Sequence, residues 1–567
     1  MRLRMRLRNG PRIGAACLIV SMAIGLTSAR ADEAQDRSAQ VDSLFKAWDK
    51  PASPGCALSI MKDGQIDYAR GYGMADLEHD VKITPASVFH VASVSKQFTA
   101  ASVLMLASEG KVSLDDEVRK YVPQLPDFGV PITIRHLIHH TSGLRDQWDL
   151  LGIAGWRYSL DLITDGDVLS VLSRQKQLNF APGSKHLYSN TGFTLLAQIV
   201  KNVSGQSFRA FTRDRIFLPL GMTHTHFRDN HAEIVKDIAY GYKRTGDGFE
   251  LSIPNFDTVG ATSLLTTVED LARWDENFYS HILGGAALAA QLEERGRLND
   301  GTNLNYAGGL EINRYRGQKL VEHSGGDAGY RAHLARFPDQ HFSVALTCNI
   351  AEAAPAVLAR RIADIYLANA LATRGANLSA VLAPQPGEEQ LARWVGLYTE
   401  RDEGDRVFVV TSSNGKLQGN IGVYGRASTM DAIGADRFRY PINPRTEVAF
   451  EEGKAGGPAE VTTYLDGRKA HHYVRVPPYN PSDSELQQFA GTYRADEVDM
   501  PYEVVVKGRQ LSVRSLKTRD VKLMPVTADL FDGGGMRARF TRNAEGAVSG
   551  ALLSTFRVYD MRFERSR

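Results

Sequence analysis

The stretch Val88-Phe-His-Val-Ala-Ser-Val-Ser-Lys-Gln-Phe-Thr-Ala-Ala-Ser-Val-Leu-Met-Leu-Ala-Ser-Glu-Gly110 organises the chain. It reads as a helix whose first turn carries Ser93 and Lys96. Phe98, Val103, Leu104 and Met105 continue its apolar pattern, and Gly110 suits a left-handed stop just past its end. Residues three apart on a helix share a face, so the Ser93 hydroxyl and the Lys96 amine can point into one cleft. An amine that has lost its proton can activate a serine as a nucleophile. The tetrad alone decides nothing, because Ser-x-x-Lys begins at Ser43, Ser59, Ser93, Ser108, Ser173 and Ser413. Ordinary residue usage gives roughly two such matches in a chain this long.

The wider chain narrows the choice. Its 567 residues exceed one ordinary core, and 43% hydrophobic with 23% charged residues is a globular composition. The first 31 residues differ from the rest. Arg2, Arg4, Arg6, Arg8 and Arg12 form a basic start, residues 13–26 an apolar run, and Ala29-Arg-Ala31 a small-x-small cleavage signal. This is the pattern of a secretory leader cut before Asp32, which places the mature chain in the periplasm or outside the cell with no stable membrane anchor. The apolar run is too short to span a bilayer. The leader holds six arginines and no acid, so the formal charge changes from +2 to −4 on its removal. A net acidic chain gives no case for nucleic-acid binding.

Residues 34–49 carry Val41, Leu44, Phe45 and Trp48 at helical spacing. Residues 56–66 read as a strand, an Asp-Gly turn and a second strand. After the Ser93 helix comes a helical, loop-rich region to about residue 300, including an amphipathic helix after Asn190. Residues 306–350 then read as an antiparallel meander and residues 355–371 as a closing helix, an α+β order. Residues 376–388 read as a linker. Beyond it Leu391, Trp394, Gly396 and Tyr398 recur as Leu486, Phe489, Gly491 and Tyr493, a constant offset of 95 residues. Each set precedes a β-rich run, which predicts two small antiparallel β domains, 389–476 and 485–567, the second repeating the first.

An acyl-transferring serine needs a base, a proton donor for the leaving group and an oxyanion pocket. Tyr188 and Asn190 lie one residue apart in Phe180-Ala-Pro-Gly-Ser-Lys-His-Leu-Tyr-Ser-Asn190. His323-Ser-Gly-Gly326 lies on an expected strand, where its glycines would expose main-chain N–H groups. His136, His139 and His140 have no clear fourth ligand, so the residues call for no metal and no cofactor. Cys56 and Cys348 remain after the leader and read as two buried thiols, although the compartment would permit a disulfide.

Ser93-Val-Ser-Lys96, Tyr188-Ser-Asn190 and His323-Ser-Gly325 resemble, in order, the three motifs of the penicillin-recognising serine hydrolases, a superfamily of class C β-lactamases, D,D-peptidases, D-aminopeptidases and family VIII esterases. His140-Thr-Ser-Gly-Leu144, Pro219-Leu-Gly-Met222 and Thr266-Thr-Val-Glu-Asp-Leu271 resemble it too. The resemblance covers roughly residues 40–370, within a catalytic domain of 32–375. It implies a β-lactamase-like fold in which the first strand lies antiparallel to the last, making Cys56 and Cys348 neighbours. It implies that Ser93 is the acylated nucleophile, that Lys96 and Tyr188 move its proton, and that Asn190 holds Lys96 and the substrate. Either Lys96 or Tyr188 could be the first base. The N–H groups of Ser93 and Gly326 would form the oxyanion hole, with His323 and Gly325 lining the substrate site. Where β-lactamases usually carry lysine in the third motif, this chain has His323, mostly neutral near pH 7. That departure, with the two β domains, points to a D-aminopeptidase-like enzyme acting on a small-molecule or peptide amide or ester. The alternatives are a carboxylesterase, a weak β-lactamase, or a slowly acylated penicillin-binding or sensing protein.

Overall fold

Strand β1, Cys56–Lys62, is buried along almost its whole length, as a central strand covered on both faces must be. The Asp63-Gly64 turn, with φ of 50° and 79°, returns the chain as β2, Gln65–Tyr72. Four later strands complete the sheet: β3 Glu311–Tyr315, β4 Gln318–Asp327, β5 Tyr330–Phe337 and β6 Phe342–Cys348. Their order is β3-β4-β5-β6-β1-β2, antiparallel throughout. The computed structural model describes residues 35–371, 383–400, 406–420, 427–440, 443–453, 456–465, 467–515, 517 and 520–566. The leader with its cleavage point, and residues 376–382 of the expected linker, lie outside them.

The first strand of the domain lies beside its last, with Cys56 opposite Cys348, as the resemblance implied. The two sulfurs are bonded, which corrects the reading of two free thiols. Directly opposed residues of adjacent antiparallel strands bring their side chains together on one face, and spacing along the chain cannot reveal that approach. The helix over residues 35–45 and a closing helix, Pro355–Tyr366, cover this face through Val41, Phe45, Leu358 and Ile362.

The other face carries the helices that build the site. Helix α1, Lys96–Ser108, is buried from Lys96 to Leu106, so it runs through the core. Gly110 follows with φ 70°, the left-handed stop that its lack of a Cβ allows. Helix α2, Asn190–Ser204, packs beside α1, and α3, Val268–Ser280, joins α1 to the sheet. The Trp274 indole on α3 donates to Gln97 Oε1 at 2.6 Å and lies 4.4 Å from the Phe98 ring, which fixes the rotation of α1.

The repeat is visible as a shared device. A five-residue helix, Glu388–Ala392 or Asp483–Gln487, precedes each β unit. The Tyr398 hydroxyl donates to the Trp394 carbonyl and the Tyr493 hydroxyl to the Phe489 carbonyl, both at 2.8 Å. The second unit closes as an eight-stranded barrel between Gly491 and Arg565. The first is a nine-stranded curled sheet. Its end strands, Ala427–Thr429 and Asp431–Ala432, are consecutive in the chain, so the sheet bends until its ends meet at Met430 without a ladder joining them.

Candidate active site

Ser93 sits on a 3-10 turn, Ala92–Ser95, that runs directly into α1. It therefore lies just before the α-helix and not inside its first turn, as the sequence suggested. Ala92 has φ 48°, a left-handed conformation that a residue with a Cβ adopts at some cost. The turn leaves Ser93 partly open to the cleft while Val94, Ser95 and Lys96 are buried.

Lys96 is wholly enclosed. Its Nζ lies 3.0 Å from Ser93 Oγ, 2.8 Å from Asn190 Oδ1 and 2.7 Å from the Ala261 carbonyl. The last two groups can only accept. A neutral amine would give them both of its N–H bonds and turn its lone pair to the Ser93 hydroxyl. Burial favours that neutral form and lowers the amine to about 7, with Asp327 and Asp146 opposing the shift and Arg557 adding to it. The Tyr188 hydroxyl bonds Ser93, and its ring lies 4.9 Å from Lys96 Nζ. Burial pushes this phenol well above its ordinary value, so it stays protonated.

Strand β4 supplies the opposite wall. It pairs with β3 only as far as Glu322, so residues 323–327 present an open edge beyond that pairing. Gly325 lies hard against the Ser93 turn. A Cβ there would stand 2.1 Å from the Val91 carbonyl oxygen and 3.2 Å from the Ser93 nitrogen. Gly326 is exposed beside it, and a Cβ there would meet nothing closer than 3.5 Å, at the Arg331 side chain. His323 Nδ1 lies 2.7 Å from the Ser324 carbonyl, which can only accept, so Nδ1 carries the proton. Nε2 then accepts from the Tyr306 hydroxyl at 3.0 Å. Burial, with the nearby Lys96, lowers His323 to about 4 against the opposing pull of Glu311. The ring is neutral near pH 7, and its one N–H is already used.

The structure thus brings Ser93, Lys96, Tyr188, Asn190, His323, Gly325 and Gly326 around one cleft. The other histidines serve elsewhere. His136 caps the helix Ile134–Ile138, His139 Nε2 lies 3.3 Å from the Glu294 carbonyl, and His140 Nδ1 accepts the Ser189 N–H at 3.1 Å. His140 also packs 4.2 Å from the Tyr188 ring.

Several neighbours were not legible in the sequence. Tyr306 has no partner motif. Asp327 is held by His90 at 2.8 Å, by Tyr158 at 2.6 Å and by Thr262. Asp146 accepts both the N–H and the amide of Asn190, at 2.6 and 2.9 Å. The signal that exists for Asp146 is its position two residues after Leu144 of the family-like His140-Thr-Ser-Gly-Leu144.

Comparison with known proteins agrees with this geometry. The family model described as Beta-lactamase matches residues 41–367. A D-aminopeptidase of Gluconobacter oxydans is 25% identical over 79% of this chain and 80% of its own length. A D-aminopeptidase of Brucella anthropi is 24% identical over 90% of this chain and 95% of its own. Among solved structures, the octameric penicillin-binding protein homologue of Pyrococcus abyssi aligns with a TM-score of 0.52 at 22% identity, covering 88% of this chain and 99% of that one. The motif-bearing helix, the antiparallel sheet and the profile match over more than half of the chain agree, and the chain belongs to the Beta-lactamase family as a serine hydrolase of its penicillin-recognising kind.

Proposed function

We propose that the protein is a D-aminopeptidase-type hydrolase that cleaves a small peptide amide or ester through a Ser93 acyl-enzyme. The state of His323 carries this reading. A neutral ring with both nitrogens engaged offers no cation and no free donor to a substrate carboxylate. Substrates that depend on that carboxylate, β-lactams among them, lose their anchor. The similarity to a D-aminopeptidase over 90% of this chain supports the same substrate class.

In the first half-reaction Lys96 takes the hydroxyl proton as Ser93 Oγ attacks the carbonyl carbon. The N–H groups of Ser93 and Gly326 receive the oxyanion, a stabilisation worth about 3–4 kcal/mol per donor. As the C–N or C–O bond breaks, the leaving group takes a proton from the Tyr188 hydroxyl, which is refilled from the Lys96 ammonium. A water molecule then attacks the ester in reverse order and returns the proton to Ser93 Oγ. Lys96 is the first base in this scheme because its proton affinity is lowered while that of Tyr188 is raised.

The reading has a pH signature. The active amine is the deprotonated one, so activity is lost as pH falls through the Lys96 value. The acid limb of kcat/KM is expected near pH 7, tenfold per unit below it and flat just above. A limb near pH 9 or above would mean that Lys96 is not the base. The direct test offers D-alanine p-nitroanilide, p-nitrophenyl acetate and nitrocefin to the purified protein. Steady turnover of the anilide or ester, lost in Ser93→Ala, is the expected result, with nitrocefin turned over far more slowly. Stoichiometric labelling without turnover would replace the enzyme by a slowly acylated sensor.

The reading extends to location and organisation. The enzyme acts in the periplasm or outside the cell after removal of residues 1–31, with the catalytic domain at 32–375, a linker at 376–388 and β domains at 389–476 and 485–567. The bonded Cys56–Cys348 pair supports an oxidising compartment. Among the described residues no helix is long and apolar enough to cross a membrane. The partner is a small-molecule or peptide substrate, and the acidic mature chain argues against nucleic acid.

A further inference from the structure

The C-terminal barrel does more than pack on the catalytic domain. Its loop 555–559 enters that domain and is fixed there from several sides. The Arg557 N–H donates to Asp149 Oδ2 at 2.8 Å, and the Thr555 hydroxyl donates to the same oxygen at 2.7 Å. The Arg557 carbonyl accepts the Asp146 N–H at 3.2 Å and the Asn179 amide at 2.9 Å. Arg145, also buried, donates to Glu497 of the barrel at 2.6 Å and to the Tyr559 carbonyl at 2.9 Å. The Arg557 guanidinium thereby reaches Asp146, with Nη1 3.0 Å from Oδ2.

Asp146 is completely buried, and it touches the catalytic machinery. Its Oδ2 accepts the Asn190 backbone N–H and the Asn190 side-chain amide, while Oδ1 accepts the Trp148 N–H at 3.0 Å. A carboxylate only accepts. Asn190 must therefore turn its nitrogen to Asp146 and its Oδ1 to Lys96 Nζ. A buried carboxylate without a cation is unfavourable, and its displacement would release this constraint. Asp149 stands close by as a second buried carboxylate, raised by burial and by Asp146. The cation that faces both is Arg557, whose Nη2 lies 3.7 Å from Asp149.

We propose that Arg557 is a positioning residue of the acyl-transfer site: the barrel inserts it to pair with the buried Asp146, Asp146 sets the Asn190 amide, and Asn190 holds Lys96 toward Ser93. The catalytic site is thus assembled from residues 93–326 and one side chain of the last β domain. The inference rests on the serine-hydrolase reading above. It also has an electrostatic consequence. The groups that act on Lys96 are Asp146 and Asp327, which favour its proton, Arg557, which disfavours it, the neutral phenol Tyr188, and His140 and His323, whose own protonation Lys96 disfavours. Removing Arg557 leaves the two carboxylates unopposed by that charge, so Lys96 should hold its proton to higher pH.

The test measures the rate at which an alkyl fluorophosphonate labels Ser93 in the full-length protein between pH 5 and 10. It compares wild type with Arg557→Gln, Arg557→Lys and Lys176→Ala. Lys176 reaches the barrel through an exposed pair with Asp496 and touches nothing in the site, so it reports on docking alone. Arg557→Gln is expected to move the acid limb up by about 0.5–1 pH unit and to lower the plateau by about 10–100-fold. Lys176→Ala is expected to stay within about twofold at every pH. Arg557→Lys keeps the charge and loses the fork, so its limb should stay within about 0.3 unit while the plateau falls several-fold. That variant carries the test if the glutamine variant does not fold. A folded Arg557→Gln protein with the wild-type limb and plateau would overturn the proposal. So would Lys176→Ala reproducing the Arg557→Gln profile, or Arg557→Lys keeping the full plateau. A wild-type protein that no fluorophosphonate labels would overturn the serine-hydrolase reading itself, and the proposal with it.

Discussion

Lys96→Met should abolish acyl transfer and at the same time stabilise the protein. The Lys96 amine touches Ser93 Oγ, Asn190 Oδ1 and the Ala261 carbonyl, and no second amine takes the serine proton in this geometry. Loss of a positioned base costs about 10²–10⁴-fold, and groups that act as one unit fail together, so the upper end of that range is expected. The stability effect follows from linkage. Lys96 is about 7 in the fold against 10.5 in the unfolded chain, so the unfolded state binds more protons between those values. Burying the lysine is therefore most unfavourable below pH 7, and the penalty is relieved as pH rises from 7 towards 10.5. A methionine has no such penalty. The stabilisation by Lys96→Met should be larger at pH 6.5 than at pH 9.5 by ~3 kcal/mol, while the hydrogen bonds that methionine cannot make lower it alike at both values. Denaturant unfolding at the two pH values is the check. An equal effect at both would mean that the buried amine is charged in the fold.

Gly325→Ala should disable the enzyme without touching any side chain of the site. The new Cβ would meet the Val91 carbonyl oxygen at 2.1 Å, and both sides of that contact are backbone, so β4 and the Ser93 turn must separate. The turn is already held at an unfavourable angle at Ala92, and Ser93 and β4 together would form the proposed oxyanion pocket. A displacement of about 1 Å there costs on the order of 10²-fold in kcat/KM. Gly152→Ala is the matched control. Gly152 lies within the helix Gln147–Ile153, and a methyl group added there would meet nothing within 4 Å, so activity should stay within about twofold. Retention of wild-type kcat/KM in Gly325→Ala would mean that the strand and the turn move independently.

The site was readable where chemistry and chain geometry act locally. Ser93 and Lys96 are three residues apart on one turn, and Tyr188 and Asn190 are two apart at a helix start, so their proximity is written in their spacing. The Asp63-Gly64 turn, the closing helix and the 95-residue repeat follow from patterns of the same short range. The reading missed groups whose roles depend on approach between distant segments. Asp146 is an ordinary N-cap residue until α2 is laid against it, since it caps the helix Gln147–Ile153 through Trp148. Tyr306 is one tyrosine among 21 until it meets His323. The two cysteines read as thiols from the residues alone because nothing in 292 residues of separation shows that their strands pair in that register, and only the family resemblance made them neighbours.

The sequence by itself determined that Ser93 and Lys96 share one turn, the α+β order and the repeated β units, because helical phase, turn chemistry and binary patterning are properties of neighbouring residues. Only the tertiary structure decided the protonation of those groups and the company they keep. Burial sets Lys96 near 7 and holds His323 neutral, and burial is a property of the packed whole. The same packing brings Arg557 to Asp146 across 411 residues, because the free energy of pairing a buried charge depends on distance in space and not on distance along the chain.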